Sequence, residues 1–338
     1  MKAIALISGG LDSLLAAKVI QSQGIKIIPL HFKIPFCHYD KNFSDKREAL
    51  TLLIKSNLGE DLRHVDIRIE FLEMLKNPRH GFGSNMNPCI DCKIMMLVKA
   101  KGLMEEWGAS FVVTGEVLGQ RPMSQHRHAL CLIEKKSGFE GLLLRPLSAR
   151  RLPETTPEKE GWVNRSRLSD FSGRTRQPQI ELARSFDLRD YPNASGGCLL
   201  TDPEFTKRLK DLISHGELSA DNIELLRYGR HFRLCPDAKL IVGRNEKENT
   251  ALEKLAGEKD YLFYPGEELA GPTSLGRGVF NEELIRISCA ITRRYCDLNG
   301  SSGADILTRR IPEKDVRVFK ASRMEEEALV RLRIPRPS

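Results

Sequence analysis

The sequence predicts an α/β fold: a doubly wound parallel sheet followed by a smaller carboxyl-terminal α+β domain. Short apolar runs alternate with helix-forming stretches through the amino-terminal part. A glycine-rich turn, Ser8-Gly9-Gly10-Leu11-Asp12-Ser13, joins the first run to the first helix, and a later run again ends in glycine at Gly115. Strand, glycine turn and helix in that order are the unit from which parallel sheets are wound.

Taken in order, residues 3–7 (Ala-Ile-Ala-Leu-Ile) are continuously apolar, as a strand buried on both faces must be. Residues 14–20 are rich in helix formers and close at Gly24. A second strand is expected over 26–32, a helix over 44–58 with Ser44 as its cap, a third strand over 64–67, a helix over 95–107 and a fourth strand over 110–115. Ligands of such sheets bind beyond the carboxyl ends of the strands, so Ser8, His31 and Thr114-Gly115-Glu116 are expected to face one ligand. The first domain is placed at 1–146. From Leu147 the pattern dissolves into polar, arginine-rich sequence with short helices such as 179–185, read as a basic connector over 147–220. Within it Pro203 opens a helix that Asp202 or Thr201 can cap. A carboxyl-terminal domain is expected over 221–325 and a frayed tail over 326–338.

The 338 residues are 41% hydrophobic and 29% charged, a globular composition. No apolar run reaches the length of a membrane span, and Met1-Lys2 leads straight into a strand, so a cytoplasmic protein without a membrane partner is expected. The net charge of +8 suits a polyanionic partner. Arg145, Arg150, Arg151, Arg165, Arg167, Arg174, Arg176, Arg184 and Arg189 make this stretch the first candidate for an RNA-facing surface. The alternative is a solvated face balanced by Glu154, Glu158, Glu160 and Asp170.

The turn at Ser8–Ser13 creates a concavity of backbone N–H groups at a positive helix end, with glycines that let an anion approach closely. It is a phosphate cradle without the lysine of the P-loop. Cys89-Ile90-Asp91-Cys92, in a glycine-flexed loop before a helix, can put two sulfurs on one ion; a redox pair, half a zinc site and cluster ligands all use that spacing. Cys198 sits in a second glycine-rich loop, Ala194-Ser195-Gly196-Gly197-Cys198, and the two loops are expected to meet. Three cysteines can hold a 4Fe-4S cluster with one iron open. Cys131 and Cys289 are expected to be small core residues.

The SGGLDS turn resembles the PP-loop of the ATP pyrophosphatases, which cleave ATP between its α- and β-phosphates to activate a carbonyl oxygen as an adenylate. Thr114-Gly115-Glu116-Val117-Leu118-Gly119-Gln120, with Ser124-Gln125, is similar to a stretch of the 4-thiouridine synthases. The cysteine trio resembles the ligand set of cluster-dependent thiolases. Over about its first 200 residues the chain thus looks like the PP-loop tRNA sulfurtransferases. That resemblance implies ATP and Mg²⁺, held by Ser8, Gly9, Gly10, Asp12, Ser13, His31 and Gly115; a 4Fe-4S cluster on Cys89, Cys92 and Cys198; and Asp12, Cys92 and Cys198 as catalytic residues. It implies tRNA as substrate, with inorganic sulfide or a cysteine desulfurase as sulfur donor. Ile241-Val242-Gly243-Arg244-Asn245-Glu246-Lys247-Glu248-Asn249, with Gly271-Pro272-Thr273-Ser274-Leu275, resembles the NFACT-type RNA-binding module. Arg174, Arg176, Arg244 and Asn245 are the candidate RNA contacts. The rival readings are a cluster-free thiouridylase carrying a persulfide on Cys92 or Cys198, a PP-loop amide- or nitrile-forming synthetase, and a non-catalytic RNA-binding protein.

Overall fold

The computed structural model describes residues 1–36, 45–188, 191, 198–267, 269–297 and 303–334. Ser44, Cys37, Gly196, Gly197 and Arg189 lie outside the described residues. The chain forms two compact units, Met1–Thr201 and Asp202–Ser338.

The first unit is wound on five parallel strands. They are β1 (Lys2–Leu6), β2 (Lys26–Lys33), β3 (Arg63–Asp66), β4 (Phe111–Thr114) and β5 (Leu143–Leu144), in the order β3-β2-β1-β4-β5. The alternate residues Ala3, Ala5, Ile27, Phe111 and Val113 pack one face of the sheet against α1 (Leu11–Gln21) and α2 (Asp45–Leu58). The helices α4 (Cys89–Trp107) and α5 (Arg127–Ser137) pack on each other. The chain winds outward from β1 to β3, after a short α3 (Arg68–Lys76), and then returns to β4 on the other side of β1. The sheet's switch point therefore lies between β1 and β4, and the Ser8–Ser13 and Gly115–Gln120 segments leave it side by side.

The segment after β5 is not a separate connector. Its Leu147, Ala149, Val163, Leu168, Ala183 and Leu188 are buried in the same core as the sheet, and it runs through a short α6 (Thr156–Lys159) to α7 (Gln177–Ser185) against α1. Apolar residues spaced through polar sequence were enough to bury it. Arg145, counted among the RNA-facing arginines, is likewise a core residue, only 4% exposed. Its guanidinium meets Glu116 at 3.0 Å and Glu134 at 2.9 Å, a charge arrangement that burial requires. Cys131, expected in the core, is exposed on α5.

The second unit opens with α8 (Pro203–Ser214), capped by the Asp202 carboxylate on the Phe205 N–H at 2.7 Å, and continues through α9 (Ala220–Leu225). Its antiparallel strands are β6 (Arg230–Cys235), β7 (Ala238–Val242), β8 (Tyr261–Pro265), β9 (Ser274–Gly278), β10 (Gly303–Arg310), β11 (Val316–Ser322) and β12 (Arg333–Ile334). They form one sheet in the order β11-β10-β8-β9-β7-β6-β12. On one face α11 (Glu282–Arg294) covers Phe263, Ile306 and Phe319; on the other, α9 and α10 (Glu246–Leu255) cover Ile241, Leu262 and Leu275. The expected tail is structured to residue 334: α12 (Glu326–Leu332) buries Leu329, and β12 pairs with β6. Among the described residues, no helix is long and apolar enough to cross a membrane.

Candidate functional site: a phosphate cradle and a cysteine rim

The turn after β1 is closed by its own side chains. Ser13 Oγ donates to the Gly10 carbonyl at 2.8 Å and accepts the Ser8 N–H at 3.2 Å, so a buried hydroxyl folds the loop. Gly9 stands at φ +84°, a conformation that a side chain would strain. Gly10 caps α1 and no side chain caps the helix, which leaves the N–H groups of its first turn pointing into the concavity. Ser8 is exposed at the rim. His31 lies behind the loop, 7% exposed, with Nδ1 donating to the Ile7 carbonyl at 2.8 Å. Burial lowers its pKa, so the ring is a neutral brace between the ends of β1 and β2.

The return strand supplies the opposite wall. A Cβ on Gly115 would stand 2.4 Å from the Asp12 carbonyl carbon and 2.5 Å from the Ser13 nitrogen, so only glycine lets the two segments touch. The next residue, Glu116, is buried. Burial raises its pKa, but Lys93, with its Nζ 3.8 Å away, and Arg145 outweigh that and hold the carboxylate ionised. Asp12 Oδ2 accepts from the Gln120 amide at 2.9 Å, and Arg176, at the head of α7, brings its guanidinium to 3.6 Å from Oδ1. Arg176 thus belongs to the cradle rather than to an outward RNA surface. Its charge marked it for phosphate; only the fold shows which segment it faces.

Cys89 and Cys92 are on the first turn of α4 itself, not in the loop before it: the helix starts six residues ahead of the expected 95, with Pro88 as its N-cap. The preceding loop is stitched to the Cys198 segment: the Met86 N–H reaches the Leu200 carbonyl at 3.2 Å, and the Asn85 amide the Thr201 carbonyl at 2.9 Å. The Leu199 N–H is anchored on the Phe36 carbonyl at 2.9 Å. Burial pushes the Cys198 thiol up to about 12, and the charges of Cys92 and Cys89 add to the rise. Among the described residues, no three His, Cys, Asp or Glu side chains are gathered tightly enough to hold a metal ion. Sequence reasoning missed His80, whose Nδ1 sits 2.9 Å from Asp91 between the two cysteines. Asp91 was in plain view, but its partner is eleven residues away in an irregular loop.

In the second unit, the GRN-x-x-EN stretch builds a helix start. The Asn245 side chain accepts the Glu248 N–H at 3.1 Å, and Glu248 in turn holds Arg244 at 2.5 Å and the Gly229 N–H at 3.1 Å. Arg244 and Asn245 are exposed but committed to this cap; Arg174 is exposed.

Residues 1–151 match the family model of the thiamine biosynthesis protein ThiI, and residues 229–332 match that of the NFACT protein RNA binding domain. A probable tRNA sulfurtransferase of Thermococcus kodakarensis is 29% identical over 119 residues, 35% of this chain and 30% of its own. The tRNA-specific 2-thiouridylase MnmA of Petrotoga mobilis is 31% identical over 131 residues, 35% of each chain. The chain therefore spans about a third of the length of these curated relatives. Among solved structures, a 4-thiouridine synthetase–RNA complex with bound ATP aligns at 21% identity and TM-score 0.35, over 55% of this chain and 51% of its own. The two matches fall on different units, the ThiI model on the first and the NFACT model on the second.

Proposed function

We propose that this protein is an ATP-dependent tRNA sulfurtransferase, which adenylates a pyrimidine carbonyl oxygen of tRNA and replaces it with sulfur, releasing pyrophosphate and then AMP. The observation that carries the reading is the meeting of two cysteine-bearing segments, joined by the Met86–Leu200 hydrogen bond, in the unit that carries the SGGLDS cradle. ATP alone would require only the cradle; the thiols give the adenylate something to react with.

The residues divide the work. The first turn of α1 and the glycines receive phosphate oxygens, and Ser13 keeps the loop in shape for them. Arg176 offsets phosphate charge, and Gln120 fixes the Asp12 carboxylate so that it can hold water on a Mg²⁺ ion. Lys93 and Arg145 neutralise Glu116, which anchors the strand end beside the cradle. Cys89, Cys92 and Cys198 fit a 4Fe-4S cluster in donor chemistry: they are three thiols on segments that hydrogen-bond to each other. Bound there, such a cluster supplies an open iron for the incoming sulfur. The chain's part is to keep that region dry and to hold the thiols in register. The exposed Arg174 and the carboxyl-terminal unit would hold the tRNA.

Anaerobic purification with iron and sulfide analysis, alongside thionucleoside analysis of tRNA from cells with and without the protein, tests this. Iron bound by the wild type and lost in Cys198→Ala, with a thionucleoside missing from the deletion, is the expected result. An iron-free protein that still thiolates would transfer the reading to a persulfide on Cys92 or Cys198. An unchanged thionucleoside profile would reject tRNA thiolation altogether.

A further inference from the structure

Gln179 is a polar side chain fully out of solvent, on the first turn and a half of α7, and no motif or match assigns it a role. Its amide lies 3.5 Å from Gln120 Oε1, and the Gln120 amide in turn donates to Asp12 Oδ2 at 2.9 Å. Two buried oxygens are left over. Neither Asp12 Oδ1 nor Gln179 Oε1 has a hydrogen-bond partner among the described residues. A buried acceptor without a donor costs about 1–3 kcal/mol, which a fold tolerates where a ligand supplies the donor.

The chemistry of the missing donor is narrow. ATP phosphates are acceptors only, so the triphosphate cannot satisfy either oxygen. Arg176 could, but its nearest nitrogen stands 3.6 Å from Asp12 Oδ1, and phosphates in the cradle would compete for it. At the phosphate end of ATP, the end a phosphate cradle holds, the donor that arrives is water on a hydrated divalent cation, because Mg²⁺ keeps several of its waters when it binds. We infer that Gln179 is a positioning residue for the cation accompanying ATP: through Gln120 it sets the Asp12 carboxylate, and its own carbonyl oxygen accepts from cation-bound water. The segment that the sequence assigned to RNA thus contributes two residues, Arg176 and Gln179, to the nucleotide site. This rests on the nucleotide-binding reading above.

The test is Mn²⁺ binding, followed by electron paramagnetic resonance, to the full-length protein with α,β-methylene-ATP present. Gln179→Leu should weaken Mn²⁺ by about tenfold, the usual scale for a group that orients a ligand, while its Tm stays level or rises because an unpaired buried oxygen is gone. Gln120→Leu, which cuts the link between Gln179 and Asp12, should weaken Mn²⁺ as well. Should the leucine at 179 prevent folding, the Gln120 variant decides. Mn²⁺ affinity within about twofold of wild type in every folded variant overturns the inference alone. Wild-type protein that binds no analogue at all overturns the nucleotide reading and this one with it.

Discussion

Gly115 shows how one residue can tie two distant motifs. Its missing Cβ is what lets the end of β4 press on the Asp12–Ser13 backbone. Gly115→Ala should therefore push the cradle open, costing about 1–3 kcal/mol of stability as overpacking does, and weaken ATP far more than tRNA. Equilibrium binding of each to the folded variant checks this; equal losses would point to general unfolding. The glycine's importance was legible as a strand-end signal, but its contact was not, since the touching residues are a hundred positions apart. The arginines show the same limit. Sequence read one phosphate-facing surface in all of them, yet Arg145 pairs with carboxylates, Arg176 faces Asp12 and Arg174 stays exposed. Charge tells what a side chain attracts; only packing tells where it points.

At the scale of elements, periodicity and capping were reliable where a segment is regular. The first four strands of the first unit and the Asp202 cap fall where apolar runs and a short polar residue put them. Irregular stretches hid their placement. The segment ending in α7 is anchored by single apolar residues scattered through charged sequence, a pattern with no period to detect. The edge strand β12 is two residues long and carries no alternation at all. One buried element sets a pH limit. His231 on β6 is fully enclosed, with Nε2 donating to the Tyr228 carbonyl at 2.7 Å. Burial, then the charges of Lys239 and Arg208, holds its pKa well below the ordinary value. The unfolded chain, titrating near about 6.5, then binds a proton that the folded unit refuses. Stability is full above that pH and falls as the pH drops below it. Thermal unfolding between neutral and mildly acidic pH should show this loss, and His231→Gln, which keeps the donor to Tyr228 without titrating, should flatten it.

Across the whole molecule, the excess positive charge sits almost wholly in the first unit, the one that matches the ThiI model, while the unit that matches the NFACT RNA binding model is close to neutral. Binding of tRNA should accordingly be salt-dependent, falling by at least about tenfold between roughly 50 and 200 mM monovalent salt, as release of counterions by a few phosphate contacts demands. A flat salt response in a fluorescence titration would rule out phosphate contacts as the main source of affinity.

The stitching of Cys198 to the α4 loop also carries a consequence for timing. Cys198 stands only three residues before the end of the first unit at Thr201, whereas Cys89 and Cys92 belong to its middle. A growing chain therefore exposes the first pair long before its companion is made. Until the last of the unit has left the ribosome, the two early thiols have no third partner, and any cofactor that needs all three must wait for a nearly finished fold. Synthesis order alone would make loading a late event, after the sheet and cradle are already built.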